Sequence, residues 1–399
     1  MCLDLLGHVF LVSAQTAGAS GANDIGHWPY SGGGLMSIKY LEEAGNAFQF
    51  AAKPVRYERC DTGHINNTFF VDCGEGNPKY ILQRVNTDIF KKPLELMSNI
   101  KGVTRHIAKK VREAGGNPDR EVRKIIETKD GNDYYIDPDG RYWRAYLEID
   151  DVISYDSPDS PELFFKSAVA FGRFFKQLSD YPADTLYETI PNFHNSVSRM
   201  NDFKQAVAED KMGRAAEMRS EIEFALSKAD KCSYIIDRIA DGRINLCVTH
   251  NDTKLNNVLM DAKTGEGVCI IDLDTVMPGS LLYDFGDAIR FGASTAKEDE
   301  TDLDKVELDL GMFETFVRGF LGELRDVMTE EEVLGLPMGA YLMTLEVGIR
   351  FLGDYLNGDV YFQIHYPEHN RDRARNQLKL VADMEKKMDQ MDAIVRKYL

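Results

Sequence analysis

The stretch that most restricts how this chain can fold is a block of polar side chains set directly behind an apolar strand signal. Residues 247–261 read CVTHNDTKLNNVLMD, and after a short gap residues 267–275 read GVCIIDLDT. Polar groups brought next to apolar strands are costly unless something pairs with them. Two short β runs, NVLMD and GVCIID, are expected to face each other across Lys263, Thr264 and Gly265, holding the polar block against the strand that ends in Asp272.

The spacing His250-x-Asp252-x-x-x-x-Asn257, followed by a strand ending in Asp272, suits phosphoryl transfer to a hydroxyl group. One carboxylate, Asp252, would accept or orient the hydroxyl proton. Asn257 and Asp272 supply hard oxygen ligands for Mg2+ bridging the phosphates of ATP. Histidine is scarce, 8 in all, which makes the coincidence of His250 with this Asp and Asn set informative. The bland alternative is a polar turn whose Asp and Asn only cap backbone groups. A second triplet, Asp284-Phe285-Gly286, resembles a kinase metal motif but opens a helix-like stretch, so Asp284 is expected to cap that helix or brace the catalytic segment. The HYPEH run at 365–369 is broken by Pro367 and is read as a turn before the last helix rather than a zinc site.

Upstream, residues 55–85 give three short β runs, with the polar loop DTGHINN (61–67) between the first two. Gly63 permits a tight turn there, and the loop with Asn66 and Asn67 is expected to turn backbone N–H groups toward phosphate. A helix is expected from about 90 to 114, ended by Gly115-Gly116-Asn117-Pro118. Strands are expected over 120–128 and 141–149, joined across DPDG. From 161 to 178 phenylalanines recur at helical spacing and read as core, and the rest is mainly helical. The expected fold class is α+β: a non-native or disordered leader at 1–35, a β-rich N-lobe over 36–150 that ends in a hinge, and a helical C-lobe over 151–399. Adenine is expected against the hinge, near Glu148 and Ile149.

The first segment mimics a secretory signal but lacks Lys and Arg and carries Asp4 and His8. Met36, just before a helix-like charged stretch and behind three glycines, is the expected start, with 1–35 untranslated. A formal net charge of −18 without a basic stripe opposes nucleic acid or an anionic membrane as main partner. Six scattered cysteines, without a C-x-x-C pair, favour reduced thiols and a cytoplasmic setting. No uninterrupted apolar run reaches the roughly 18 residues that span a bilayer.

The runs GHIN, YILQ, THNDTKLNN, IIDLDT, DFGD, RFGAST, DYLNGDVYF and YPEHN resemble the aminoglycoside phosphotransferase and choline kinase superfamily, and within it the N-acetylhexosamine 1-kinases, from about Ile38 to the C-terminus. The resemblance implies a two-lobed protein-kinase-like fold and ATP-dependent phosphorylation of N-acetylglucosamine or N-acetylgalactosamine at the anomeric oxygen. It also implies Asp252 as catalytic base, Asn257 and Asp272 as metal ligands, and His64, Arg350 and Tyr361 against a small-molecule sugar. Arg350 and Tyr361 also admit reading as a helix ion pair and a buried ring. Where related kinases place a third-strand Lys or Arg on the α/β-phosphates, this chain has Gln83. Either Gln83 bonds the phosphates as a neutral donor, or Lys79 or Arg84 reaches around. An aminoglycoside or choline-type kinase is the alternative enzyme, and a nucleotide-binding pseudokinase the non-enzyme one. A choline site needs an aromatic cage, for which only Trp28 and Trp143 are at hand among tryptophans. Oligomeric state stays open.

Overall fold

A computed structural model describes residues 38–60 and 65–399. The expected leader at 1–35, with Trp28, and the loop residues Asp61 to His64 lie outside the described residues. The first part runs α1 (Ile38–Ala47), β1 (Arg56–Cys60), β2 (Asn67–Asp72), β3 (Tyr80–Arg84), α2 (Pro93–Glu113), α3 (Pro118–Glu121), β4 (Ile125–Ile126), β5 (Tyr135–Ile136), β6 (Tyr142–Leu147) and β7 (Val152–Ile153). Strands pair antiparallel in the order β1-β2-β3-β6-β4, with β5 on β6. Alternation along β2, β3 and β6 turns Phe69, Val71, Leu82, Trp143 and Ala145 to one face, where Ala44 of α1 and Phe48 close a small core. The register sets Gln83 of β3 opposite Arg144 of β6.

Helix α2 begins at Pro93, whose missing N–H is no loss in a first turn, and carries Glu95 early and Lys110 and Arg112 late, in keeping with the helix dipole. Residues 120–128, expected as a strand, differ. The Asn117 side chain accepts from Asp119 N and Pro118 opens the single turn α3, so only Ile125 and Ile126 remain to pair with β6. Asn-Pro is a helix-start signal, and it outweighed the β-branched run behind it.

The remainder is mostly helical: α4 (Pro161–Gln177), α5 (Ser196–Glu209), α6 (Arg219–Leu226), α7 (Tyr234–Ala240), α8 (Leu281–Gly292), α9 (Leu310–Leu324), α10 (Glu330–Asn357) and α11 (His369–Arg396). The phenylalanine stripe of α4 packs into the main core with Phe316 and Phe320 of α9. Thr329 and Glu332 form a capping box at the start of α10, and Gly358, at φ +98°, ends it. By length and composition α10 could cross a bilayer, yet 89% of its apolar window is buried inside the protein; it is the central core helix, packed on α5, α8 and α11.

Between α7 and α8 the chain returns to β structure. Here β8 (Cys247–Thr249) pairs with β11 (Met277–Gly279), and β9 (Val258–Asp261) pairs with both β10 (Gly267–Ile270) and β7. The β9–β10 turn forms as the sequence suggests, with Asp261 Oδ1 accepting from Lys263 N and Thr264 N and Gly265 at φ +68°. These small sheets carry the polar block to the junction with the six-stranded sheet. Cys60, Cys73, Cys232, Cys247 and Cys269 are free thiols.

Candidate active site

Asp252 lies on the loop after β8 and is buried. Its Oδ2 accepts from Asn257 Nδ2 at 2.9 Å, and the same nitrogen donates to the Asp252 carbonyl at 2.8 Å. Lys254 Nζ stands 3.7 Å from Asp252 Oδ1. Burial, foremost, pushes the Asp252 carboxyl up to about 6, with Asp287 adding to the rise and Lys254 and Asn257 opposing it.

The loop is held by its backbone. Asp284 of α8 accepts from His250 N at 3.1 Å and Asn251 N at 2.6 Å, and Asp287, one turn on, accepts from Thr253 N at 3.0 Å. Asp284 therefore braces the loop that carries Asp252, while Ser280 caps α8. His250 is no ligand: its Nε2 donates to Ile271 O at 2.9 Å, and its ring meets Phe171 and Phe174 edge-on. Burial holds this imidazole down at about 4, so it is neutral at pH 7. A reciprocal clip completes the joint: Thr275 Oγ1 donates to His250 O at 2.6 Å and Asn251 Nδ2 to Thr275 O at 2.8 Å. Asn251 and Asp272 both adopt left-handed backbone, at φ +64° and +59°, a conformation that Asn and Asp tolerate better than most residues.

Asp272 follows β10 and faces Asp274 and Asp252. Burial first, and then those two carboxylates, push its pKa up to about 8. Asp274 is buried in an ion pair with Arg144, Nη1 to Oδ1 2.6 Å and Nη2 to Oδ2 2.9 Å. The Arg144 guanidinium also donates to Gln83 Oε1 from Nε at 3.0 Å and Nη2 at 2.9 Å, while Gln83 Nε2 donates to Thr68 Oγ1 at 3.0 Å. Both ends of the Gln83 amide are thus committed within the protein, and the cation at this place in the sheet is Arg144 on the next strand. Asn66 Nδ2 donates to Asp274 Oδ2 at 2.6 Å and Asn66 Oδ1 accepts from Asn86 N at 2.9 Å, tying the loop after β1 to the carboxylate cluster. Asn67 opens β2 opposite Arg84. Gly63 and His64 lie outside the described residues.

At the end of the sheet Glu148 N donates to Lys79 O at 3.1 Å, and burial raises the Glu148 carboxyl above its ordinary value. Ile149 joins Val152, Leu259, Cys269 and Ile271 in a separate apolar cluster beneath this crossing.

On the other side, the Arg350 guanidinium donates from Nη2 to Tyr361 Oη at 3.0 Å and lies near the rings of Phe193, Tyr361 and Phe362. The structure thus brings together two residues that the sequence separates. Asp354 holds the loop that carries Tyr361: Oδ1 accepts from Val360 N and Tyr361 N at 3.0 and 2.8 Å, and Oδ2 from Phe362 N at 2.9 Å. One turn before Arg350, Glu346 accepts from Ser196 Oγ and contacts His194 Nδ1 at 2.9 Å, and His194 Nε2 reaches toward Asn251 O at 3.4 Å. This relay joins the Arg350 wall to the residue beside Asp252.

A model of the phosphotransferase enzyme family matches residues 56–318, a span that takes in every element of the carboxylate cluster. The chain belongs to this phosphotransferase family. Among solved structures, a choline/ethanolamine kinase family protein from Mesorhizobium loti superposes with a TM-score of 0.52 at 15% identity, over 91% of this chain and 100% of that one. Choline kinase from Cryptosporidium parvum Iowa II gives 0.51 at 14%, over 86% and 92%, and an aminoglycoside phosphotransferase from Alicyclobacillus acidocaldarius gives 0.50 at 13%, over 92% and 97%. Similarity at this level speaks to fold, and the fold of this phosphotransferase is the protein-kinase-like α+β one.

The donor set of the phosphotransferase fits a hard divalent cation. Asp252 and Asp272 act on one another through space, whereas Asp274 is spent on Arg144, so Asp272 is the carboxylate of the group left for a cation. The Asn257 amide nitrogen is spent on Asp252, which leaves its oxygen as the end suited to a cation. Sequence reasoning missed Arg144, Asp354 and the His194–Glu346 pair. Of these only Arg144 left a local signal, a charge in the middle of a strand between Trp143 and Ala145.

Proposed function

We propose that this phosphotransferase moves the γ-phosphoryl group of ATP onto the anomeric hydroxyl of an N-acetylhexosamine, N-acetylglucosamine or N-acetylgalactosamine, releasing the sugar 1-phosphate and ADP. The observation that carries the reading is the buried Asp252 carboxylate, oriented by Asn257 and pushed up to about 6, at the edge of the Asp272 and Asp274 cluster. A base poised near neutrality is suited to proton transfer at physiological pH. The anomeric O–H proton passes to Asp252 as the new oxygen–phosphorus bond forms, and the bond from the γ-phosphorus to the β,γ-bridging oxygen breaks with its electron pair leaving on ADP. The Asp252 to Asn257 hydrogen bond fixes the carboxylate so that one oxygen faces the acceptor. Mg2+, when bound through Asn257 and Asp272, would neutralise charge on the phosphates.

Arg144 supplies the cation that the third strand lacks, aimed by Gln83 and Asp274. The apolar cluster around Ile149 and Leu259 suits the flat face of adenine, whose edge would meet the backbone near Glu148 and Ile149. A neutral sugar suits the acceptor wall better than a choline-like or polyamine substrate, because Arg350 contributes a cation there. Trp143 is fully buried in the N-terminal core and takes no part in an aromatic cage.

The test is incubation with ATP and magnesium and a panel of hexosamines, their methyl glycosides, choline and aminoglycosides, following the acceptor by phosphorus NMR. N-acetylglucosamine should gain an anomeric phosphate while its methyl glycoside supports no ADP release above background. Phosphorylation of the methyl glycoside at a comparable rate, or of an amine alone, would overturn the sugar 1-kinase reading.

A further inference from the structure

Behind the crossing from β6 to β7 lies a cavity of about 290 Å³, bounded by α2, α3, α4 and β10. Its wall is apolar through Ile107, Val122, Phe174 and Ile270, and Arg123 lines it as well. Arg123 is 7% exposed. Among the described residues no hydrogen bond or ion pair meets its guanidinium, which lies over the ring of Tyr146, 4.4 Å from Cζ to the centroid, with the Glu148 carboxylate near enough to act on it through space.

The other cations at the cavity are paired. Arg120 pairs with Asp261 at 2.6 Å and donates to the Asp150 carbonyl. Arg173 pairs with Glu323 at 3.1 Å, Glu266 with Lys166 at 3.3 Å, and Glu121 Oε1 accepts from Asn117 N at 2.6 Å. Arg123 is therefore the one cation in the cavity wall without an ion pair, set beside its apolar residues. Arginine does not shed its proton to escape such a place, and a buried ion without a partner is among the least favourable groups a protein can hold.

We propose that this cavity is a binding site for a small organic carboxylate, with Arg123 clamping the carboxylate and the apolar wall receiving its body. The charge decides the class. A carboxylate brings a single negative charge to the one cation in the wall that lacks an ion pair, and offers the two-oxygen edge to which a guanidinium fork donates. A phosphate monoester brings about 1.5 to 2 negative charges, more than Arg123 offsets, in a wall that already includes Glu121, Asp261 and Glu266. The volume is at the small end of what ligand pockets occupy, so the body is compact, of the order of one ring. Arg144, whose Cζ is 5.4 Å from the same Tyr146 centroid, and Cys269, which also belongs to the apolar cluster proposed for adenine, bring the two sites close together, so the titration is run on nucleotide-saturated protein.

The test titrates the protein, saturated with magnesium and a non-hydrolysable ATP analogue, with 4-bromobenzoate by calorimetry, with 4-bromobenzamide and phenyl phosphate as comparisons. 4-Bromobenzoate should bind about tenfold or more tighter than either, and Arg123→Gln should remove that advantage while leaving benzamide binding unchanged. In crystals of the parent protein the bromine anomalous peak should fall in this cavity, a result that depends on no variant folding. Equal binding of acid and amide, no binding of either, displacement by the nucleotide analogue, or a bromine peak elsewhere would each overturn the proposal; the second would mean that water alone solvates Arg123.

Discussion

Two loops of the phosphotransferase are held by the same device and differ in what surrounds them. Asp284 gathers the amides of His250 and Asn251, and Asp354 gathers those of Val360, Tyr361 and Phe362. In each case a helical carboxylate fixes a loop by consecutive N–H groups, as a helix end holds an anion. The first loop is buried throughout, whereas the second rises to Val360 at 78% and Tyr361 at 38% exposure. Reacting groups need fixed positions in a dry setting, and an acceptor that must enter and leave needs a wall that stays accessible. The carboxylates are alike; the solvent on the far side of each loop sets the role.

The largest effect should come from Asp252→Asn, which removes the base without disturbing the Asp284 clamp. Turnover should fall by roughly 10² or more, with thermal stability at pH 7 unchanged or raised. The sign follows from the raised pKa. A carboxyl at about 6 when folded and ~3.9 when unfolded is penalised as an anion in the native state, so a neutral amide relieves a cost. In the parent protein kcat/KM should fall about tenfold per pH unit below about 6, as Asp252 takes up its proton. A limb placed near 4 instead would put the base elsewhere.

Asp284→Ala should act in the opposite sense on stability. Two buried amides lose their acceptor, and at about 1–3 kcal/mol for each unsatisfied donor the fold should lose about 3 kcal/mol or more, read from urea denaturation. Turnover should fall with it, since the loop carrying Asp252 is no longer positioned. Full activity with lowered stability would show that the clamp holds the fold and not the geometry of the base. Asp354→Ala sets the second loop free under milder terms, because amides near an exposed tip can turn to water. Stability should drop by about 1–2 kcal/mol, and the KM for sugar should rise about tenfold with kcat largely kept, checked by steady-state kinetics.

The contrast also explains what the sequence revealed. Asp252, Asn257 and Asp272 sit within two adjacent strand–loop units, so their spacing let the sequence group them, and the same run suggested a brace for Asp284. Arg144 was hidden because it comes from the neighbouring strand. Gln83 and Arg144 are linked by β3–β6 register, which no local pattern encodes. Asp354 and His194 were invisible for a related reason: their partners come from other elements, and an acid in a helix or a histidine in a loop reads as ordinary until the packing is known. The strand expected over 120–128 shortens to Ile125 and Ile126 because the Asn117-Pro118 start signal turns the residues ahead of it into α3.

The smallest effect belongs to Tyr361→Phe, and it tests whether the exposed loop contributes recognition or only shape. The phenol accepts from Arg350 Nη2 at 3.0 Å and sits at a partly exposed edge. Losing it removes one hydrogen bond to a charged group in contact with water, while the ring and its edge-on contact with Phe362 remain. A bond of this kind is worth about 0.5–1.5 kcal/mol, equivalent to about two- to tenfold in affinity. If Tyr361 orients Arg350 toward the sugar equally in the ground and transition states, the change should fall on the KM for N-acetylglucosamine, with kcat and the KM for ATP unmoved. A fall in kcat at constant KM would place Tyr361 with the buried loop instead, as a group felt only in the transition state. No change in either constant would mean that the Arg350 and Tyr361 pair closes the wall without touching the acceptor.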